Sequence, residues 1–150
     1  MSRILILDDE ESILSSLRRL MKLAPCTYGK LSFKLDVETE SSPEAALTRV
    51  RDNIYDLVIS DYQMPAMNGT DFLAKVREIR PDAELILMSG IADLDEIMRA
   101  YHGARIYRFI GKPWNDFLFM ASVAEALNHG ELVLENKRLA AGVTDSRTPG

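Results

Sequence analysis

Apolar residues follow two different spacings along this chain, and the two spacings alternate. Short continuous apolar runs, such as the one from Ile4 to Leu7, predict strands that are buried on both faces of a sheet. Between these runs, apolar residues recur every three or four positions, which predicts amphipathic helices. Because strands and helices alternate five times, the pattern predicts an α/β domain with a doubly wound, five-stranded parallel sheet and helices on both faces. The predicted strands cover residues 3–7, 31–37, 55–60, 84–88 and 105–110.

Capping and breaking residues mark the predicted ends of the helices. Pro25 ends the first helix, because proline cannot continue one. Ser42 is predicted to cap the second helix, and Pro43 takes its first position, where a missing N–H costs nothing. Asp93 is predicted to cap the helix before the fifth strand, and the last helix is predicted to begin near Asn115.

The link between the first helix and the second strand is long. In this link, Leu31, Phe33 and Leu35 alternate with polar residues, which predicts an edge strand with one wetter face. Gly29 and Lys30 are predicted to form a turn just before it. The sequence leaves open whether this segment is a partner surface or only a longer loop.

Helix-forming residues continue beyond Leu127, where the core of the domain should be complete. Gly130 is a usual helix terminator, so either the helix continues through it at a cost of about 1 kcal/mol or a second short helix follows. Two sets of apolar residues recur at intervals of seven: Met120, Leu127 and Leu134, and then Leu132 and Leu139. This interval is typical of a coiled-coil seam. The alternative is a segment that folds back on its own domain.

The chain is therefore divided into three predicted parts. Residues 1–127 form the domain, residues 128–141 form a helical extension, and residues 142–150 form a disordered tail because they are small and polar. The last helix would thus carry any signal away from the domain.

The composition narrows the functional classes. A chain with 47% hydrophobic and 27% charged residues is typical of a folded globular protein. Its formal net charge of -5 argues against a direct nucleic-acid-binding surface. Cys26 is the single cysteine, so it cannot form an internal disulfide, and we interpret it as a structural thiol in a reducing compartment. No apolar run is long enough to span a membrane, which predicts a cytoplasmic protein.

Three carboxylates follow predicted strands that can be neighbours in the sheet. Asp8 and Asp9 end the first strand, and Asp61 ends the third. Ligands bind at the carboxyl ends of parallel strands, so we expect these side chains to share a cleft. Such a cluster would repel itself, and a bound Mg²⁺ would relieve the repulsion, since oxygen ligands favour a hard cation. The alternative is that each Asp only caps the helix that follows it.

Two further polar residues follow the fourth and fifth predicted strands. Ser89 supplies a hydroxyl and Lys112 an ammonium at the same edge of the sheet. A carboxylate nucleophile, a metal, a hydroxyl and a lysine together predict phosphoryl transfer onto Asp61. Taken singly, Ser89 is as readily a turn residue and Lys112 a solvated surface residue.

Four motifs around these residues resemble those of the receiver domain of two-component response regulators, from about Arg3 to Leu127. The matching segments are Ile6-Leu7-Asp8-Asp9-Glu10, Ser60-Asp61-Tyr62-Gln63-Met64-Pro65 with Asn68-Gly69, Met88-Ser89-Gly90, and Phe109-Ile110-Gly111-Lys112-Pro113-Trp114. The chain is similar to receivers with a Lys-Pro-Trp motif and an extended C-terminal helix. The resemblance implies a flavodoxin-like sheet with strand order 2-1-3-4-5.

The resemblance also implies roles for individual residues. Asp61 would accept a phosphoryl group from a phosphohistidine on a sensor histidine kinase or a phosphotransfer protein. Asp9, Asp61 and the backbone carbonyl of Gln63 would ligate Mg²⁺, with Asp8 acting through water. The peptide bond between Lys112 and Pro113 is expected to be cis.

The resemblance further implies a switch that pairs Ser89 with an aromatic residue on the fifth strand. Counting back from Lys112 places Phe109 in that role. Its movement would change the surface of the fourth helix, fifth strand and last helix. Tyr107 is expected on the same face of the strand as Phe109, because side chains alternate with a period of two. Phe109 could instead be a simple core aromatic.

The leading interpretation is a phosphorylation-controlled signalling switch, not an enzyme apart from assisting its own phosphotransfer and dephosphorylation. It could act alone, pair through the C-terminal helix as a homodimer, or be the N-terminal part of a larger regulator with an enzymatic or DNA-binding output. A phosphohydrolase with an Asp nucleophile would need a second acid just after it, where Tyr62 and Gln63 stand. A flavin-binding domain would need a phosphate loop after the first strand, where Asp8 and the acids after it would repel phosphate.

Overall fold

The computed structural model describes residues 1–90 and 103–147 of the chain, with side chains as far as residue 142. The predicted helix with its cap at Asp93 lies outside these residues. The described strands are β1 (Ser2–Leu7), β2 (Thr27–Tyr28), β3 (Leu31–Ser32), β4 (Leu35–Glu40), β5 (Leu57–Asp61), β6 (Glu84–Ser89) and β7 (Arg108–Gly111). The described helices are α1 (Glu11–Leu23), α2 (Pro43–Asp52), α3 (Gly69–Ile79) and, at the C-terminus, α4 (Asp116–Arg147).

The main sheet has five parallel strands in the order β4-β1-β5-β6-β7. Since β2 and β3 form a separate small hairpin, this order is the predicted 2-1-3-4-5, and the fold prediction is confirmed. The central strands are continuous apolar runs because both of their faces are covered. One cluster of buried residues includes Leu5 and Phe72, and the other, on the opposite face, includes Ile4 and Val123.

The predicted starts of α2 and α4 agree with the structure. Ser42 precedes α2, and its hydroxyl accepts a hydrogen bond from the backbone N–H of Ala45. Asn68 caps α3 in the same way, through the backbone N–H of Asp71. The side chain of Asn115 accepts a hydrogen bond from the backbone N–H of Leu118 at the start of α4. These caps satisfy backbone donors that have no partner inside a helix.

The long link after α1 is an antiparallel hairpin. Thr27 pairs with Ser32 and Tyr28 with Leu31, and Gly29 between them has a φ of 59°. Glycine adopts this left-handed conformation without steric cost, which fits the predicted turn at Gly29 and Lys30. The edge strand begins later than predicted, at Leu35 in β4. Residues 31 and 32 form the second strand of the hairpin instead.

α4 is one continuous helix of 32 residues that passes through Gly130. The helix lies close to the start of β6 at this point, and glycine leaves room for that approach. A Cβ on Gly130 would be 3.0 Å from Cγ of Glu84. The helix also extends to Arg147, into the segment that was predicted to be a disordered tail. Ala140 and Ala141 favour helix, and no proline interrupts it before residue 149, which explains the longer helix.

The predicted seam on α4 is wrong for Met120 and Leu127, whereas Leu134 from the same set is 40% exposed. Met120 and Leu127 are 5% and 3% exposed, because they belong to the core of their own domain. Leu132 and Leu139 are 54% and 58% exposed. By length and composition, residues 116–142 of this helix could cross a membrane, but 44% of the most apolar window is buried within the domain, as expected for a core helix.

Candidate functional site

The carboxyl ends of four adjacent strands bring the predicted polar residues together. Asp61 is the last residue of β5, Ser89 the last of β6, and Lys112 follows β7 directly. Asp8 follows β1, and like Asp61 it is buried, whereas Asp9 is exposed. The prediction that these residues share one cleft follows from parallel pairing, and the structure has this arrangement.

Lys112 joins two of the carboxylates. Its Nζ lies 2.9 Å from Oδ2 of Asp8 and 2.9 Å from Oδ1 of Asp61. The Lys112 side chain is only 17% exposed, so these ion pairs are largely shielded from water. The alternative of a solvated surface lysine does not fit this geometry.

Burial and charge shift the proton affinities of this pair. Burial raises the pKa of the Asp61 carboxyl, the hydrogen bond from Lys112 lowers it, and the charges of Asp8 and Asp9 raise it; the net shift is upward. Burial alone would lower the pKa of the Lys112 ammonium, but its bonds to Asp61 and Asp8 raise it above the usual value. One ammonium therefore incompletely neutralises the carboxylates, and the site favours additional positive charge.

Oxygen atoms of Asp8, Asp9 and Asp61 all lie within 4.8 Å of one another. A hard divalent cation prefers such an all-oxygen set and keeps other positions for water or phosphate. The donor set and its uneven charge balance therefore fit a metal ion. Gln63, whose carbonyl the resemblance adds to this set, lies in the exposed loop directly after β5.

Asp8 also has a local structural role. Its Oδ1 accepts a hydrogen bond of 2.9 Å from the backbone N–H of Glu10, while its Oδ2 faces Lys112. The alternative that Asp8 caps the next helix is wrong, because the N-cap residue of α1 is Glu10 and no side chain caps this helix; the bond belongs to the turn before α1. The same bond fixes the carboxylate in the cleft.

Gly69 is a further residue on which the site depends. It starts α3 directly against β5: a Cβ built on Gly69 would lie 2.1 Å from the backbone oxygen of Asp61. Its N–H donates to the carbonyl of Tyr62 at 2.8 Å. In the sequence, Gly69 stands out as part of a receiver-like motif and as a possible helix start. The Asn68-Gly69 pair marks a helix start, but no local signal shows that the helix touches the strand end.

Ser89 and Phe109 occupy neighbouring strands. Ser89 is buried, and its carbonyl accepts a hydrogen bond of 2.7 Å from the backbone N–H of Lys112. Phe109 pairs with Leu87 in register and packs, partly exposed, against the core cluster that contains Phe72. The peptide bond between Lys112 and Pro113 is cis.

Tyr107 does not lie on the face predicted for it. It packs against the opposite core cluster from Phe109, and its ring centroid is 4.8 Å from that of His129 in α4. The period-two argument fails because β7 begins at Arg108, so Tyr107 lies at a bend before the strand. Tyr107 therefore faces the C-terminal helix rather than the candidate switch.

A parallel α/β sheet with an acidic cleft and a largely shielded lysine at its carboxyl edge is the arrangement that the resemblance to receiver domains predicts. Comparison with known families gives the same result, because residues 4–124 match the model of the response regulator receiver domain. The chain belongs to this family.

Curated and structural relatives agree with this assignment. The chain is 29% identical over 147 residues to the hydrogenase transcriptional regulatory protein HoxA of Bradyrhizobium diazoefficiens, covering 98% of this chain and 28% of that protein. The structure superposes on a CheY-like receiver domain protein of Methanospirillum hungatei with a TM-score of 0.77 at 26% identity, covering 87% of this chain and 97% of that one.

It also superposes on a structure described as adenylate cyclase from Rhodopirellula baltica, with a TM-score of 0.82 at 27% identity, covering 93% and 97% of the two chains. The chain spans between 21% and 29% of the length of four curated regulators that it matches. Its similarity to those regulators therefore concerns their receiver part.

Proposed function

We propose that Asp61 is the phosphoacceptor of this receiver domain. The observation that carries the proposal is the position of Lys112 Nζ, 2.9 Å from oxygens of both Asp8 and Asp61 in a largely buried cleft. An oxygen of Asp61 attacks the phosphorus of a phosphohistidine on a sensor kinase or phosphotransfer protein. The new P–O bond forms as the P–N bond breaks, and the bonding electron pair leaves with the imidazole nitrogen.

The residues around Asp61 have distinct tasks in this step. Lys112 attracts the negative phosphoryl oxygens, and because it is already held by two carboxylates it needs little reorientation. The Ser89 hydroxyl donates a hydrogen bond to a phosphoryl oxygen, which draws the end of β6 toward the site. Phe109 on the adjacent strand then turns inward. In this way the domain assists its own phosphorylation and dephosphorylation without acting on another substrate.

Mg²⁺ is the proposed cofactor: Asp9, Asp61 and the backbone carbonyl of Gln63 would hold it, and Asp8 would act through water. When bound, the ion supplies the positive charge that lets two anionic groups approach each other. The three carboxylates within 4.8 Å support this assignment. The turn that orients Asp8 through Glu10 prepares one side of the set.

The phosphoacceptor is tested with a small-molecule phosphodonor and Mg²⁺, followed by intact mass. We expect wild type to gain one phosphate and Asp61→Ala to gain none. Asp56→Ala is a matched control, because Asp56 lies at the opposite end of β5, where its carboxylate accepts from the backbone N–H of Arg3. Phosphate on Asp61→Ala would refute the assignment, and its loss from Asp56→Ala would show that the assay reports folding instead.

An Asp-nucleophile phosphohydrolase is the less favoured alternative. Tyr62 is buried and Gln63 is an amide, so neither supplies the acid that would protonate a leaving group after Asp61. Catalytic turnover of a phosphate ester in excess over protein would support this alternative. A single phosphate retained per chain supports the switch.

The proposed setting is a cytoplasmic signalling pathway in which α4 carries the change to an output. The relatives include a transcriptional regulator and a structure described as an adenylate cyclase, so both a DNA-binding and an enzymatic output remain candidates. Pairing of two copies through Leu132 and Leu139, which are exposed one heptad apart, is the proposed route to a homodimer. Sedimentation of the chain and of a form ending at Leu127, with and without phosphodonor, tests this: a dimer that persists in the shorter form contradicts it.

A further inference from the structure

The second half of α4 contacts the amino-terminal ends of the strands, opposite to the candidate phosphorylation site at their carboxyl ends. Nδ1 of His129 lies 3.1 Å from Oε1 of Glu84, the first residue of β6. Two turns further along the helix, Nζ of Lys137 lies 2.6 Å from Oδ1 of Asp82. Gly130 allows this approach, since a Cβ there would be 3.0 Å from Cγ of Glu84. We name these contacts of His129, Gly130 and Lys137 the α4 latch.

His129 contacts two neighbouring strands at once. Its imidazole pairs with Glu84 at the start of β6 and stacks against Tyr107, which immediately precedes β7. The side chain of Glu84 is only 11% exposed, so its carboxylate depends on a protein partner more than a surface carboxylate would. The contact therefore depends on the relative position of these two strand ends.

Arg77 fastens the same two strand ends together. Its guanidinium donates to the carbonyls of Ala83 and Pro81 before β6 and of Ala104 and Arg105 before β7, at 2.6 to 3.0 Å. Arg105 has a φ of 56°, a conformation that a non-glycine residue keeps only when its surroundings hold it. Arg77 therefore couples the starts of β6 and β7, so that the residues that contact α4 move together.

The far ends of the same two strands lie at the acidic cleft. β6 ends in Ser89, and β7 leads into Lys112, with a hydrogen bond of 2.7 Å between the N–H of Lys112 and the carbonyl of Ser89. A phosphoryl group on Asp61 would attract both Ser89 and Lys112. Because β6 and β7 pair continuously from Ile86 to Ser89, a displacement of Ser89 and Lys112 would move both strands together.

We propose that the α4 latch is a built-in restraint that holds the distal half of α4 on the domain. Phosphorylation of Asp61 would shift the population of chains from the latched form toward the released form. This inference rests on the proposed phosphorylation of Asp61. Its contacts are polar and partly exposed, so water can replace them when the strand ends move. Phosphorylation shifts the population only as far as the latched and released forms differ in their interaction with the phosphoryl group.

Hydrogen exchange of the 150-residue chain, read by mass spectrometry, tests the latch. We expect His129→Ala to speed exchange of peptides covering residues 129–139 by about tenfold while residues 116–127 stay protected. Lys137→Ala should have a smaller effect in the same direction, and it serves as a second variant if His129→Ala folds poorly. Arg138→Ala is the matched control, because Arg138 pairs with Glu135 on its own helix.

The phosphorylated chain completes the experiment, with intact mass measured on the same samples. Phosphodonor and Mg²⁺ should speed exchange of residues 129–139 in wild type and add little in His129→Ala. Phosphorylation without a change in exchange would overturn the latch as a switch, while the proposed function would stand. If no phosphate is gained, the proposed function fails, and unchanged exchange in His129→Ala would overturn the latch itself.

Discussion

Substitution of Gly69 by alanine is predicted to damage the proposed phosphorylation site through a steric conflict with the backbone. The added Cβ would lie 2.1 Å from the backbone oxygen of Asp61, 2.9 Å from its carbonyl carbon and 3.0 Å from Cδ1 of Leu87. Leu87 can rotate, but the Asp61 carbonyl lies within β5 and cannot. Since carbon and oxygen normally approach to about 3.3 Å, the start of α3 must move away from the strand by about 1 Å.

The cost of this movement can be estimated. Inserting a methyl group into a packed site costs about 1–3 kcal/mol, and the gain in helix propensity from glycine to alanine offsets at most about 1 kcal/mol. A net loss of about 2 kcal/mol would lower the melting temperature of a chain of this size by about 4–8 °C. A displacement of about 1 Å beside the reacting atom would slow phosphorylation up to about 100-fold.

The assays are thermal unfolding and the rate of phosphate gain from a small-molecule phosphodonor, measured by intact mass. Gly111→Ala is the matched control, because a Cβ there would meet no other described atom within 4 Å beyond its chain neighbours. Gly111 also lies next to Lys112, so both variants alter glycines at the cleft. Equal melting temperatures and equal phosphorylation rates in the two variants would refute the reasoning.

Three further predictions concern the charged cleft and the core. Lys112→Met should lose about 3 kcal/mol of unfolding free energy at pH 7, because the buried carboxylates of Asp8 and Asp61 lose their cation. Part of this loss should be recovered at lower pH, where Asp61, whose pKa burial already raises, gains a proton; a loss that is equal at pH 5 and 7 contradicts this. Asp9→Ala should weaken Mg²⁺ binding, monitored by fluorescence of Trp114, whereas Asp56→Ala should not. Burial raises the pKa of the Cys26 thiol from 9.0 to about 11, so between these pH values only the thiol of the unfolded chain ionises. The unfolding free energy of wild type should therefore fall by up to about 3 kcal/mol relative to that of Cys26→Ala over this range, and parallel curves of stability against pH would refute the prediction.

The site was predictable because it depends on chain order and on one rule of parallel sheets. Asp8, Asp61, Ser89 and Lys112 each follow an apolar run, and parallel strands place their carboxyl ends at one edge. No distance was needed for that inference. The direction of each side chain beyond the strand end, such as the contact of Lys112 with two carboxylates, required the structure.

Other features depend on where a strand begins or on contacts between distant residues. Tyr107 was assigned to the wrong face because its position relative to the first residue of β7 could not be read from alternation. The contact of Glu84 with His129 joins residues 45 positions apart, and a lone histidine on a helix gives no sign of its partner. The only signal was Glu84 itself, a carboxylate at the start of an otherwise apolar strand, which must find a partner when buried.

The two sets of apolar residues on α4 show why a heptad interval alone does not identify a partner. A helix that packs on its own domain needs an apolar stripe as much as a helix in a coiled coil does, and Met120 and Leu127 serve the domain. Only Leu132 and Leu139 remain as an exposed pair with the right interval, which is too short a seam to be stable alone. Leu134, which is already 40% exposed, lines the groove with Ile54 and Pro81, and release of the α4 latch would uncover the rest of its side chain. Pairing of two copies through α4 should therefore be stronger in His129→Ala than in wild type, and sedimentation of the two proteins at equal concentration would measure the difference.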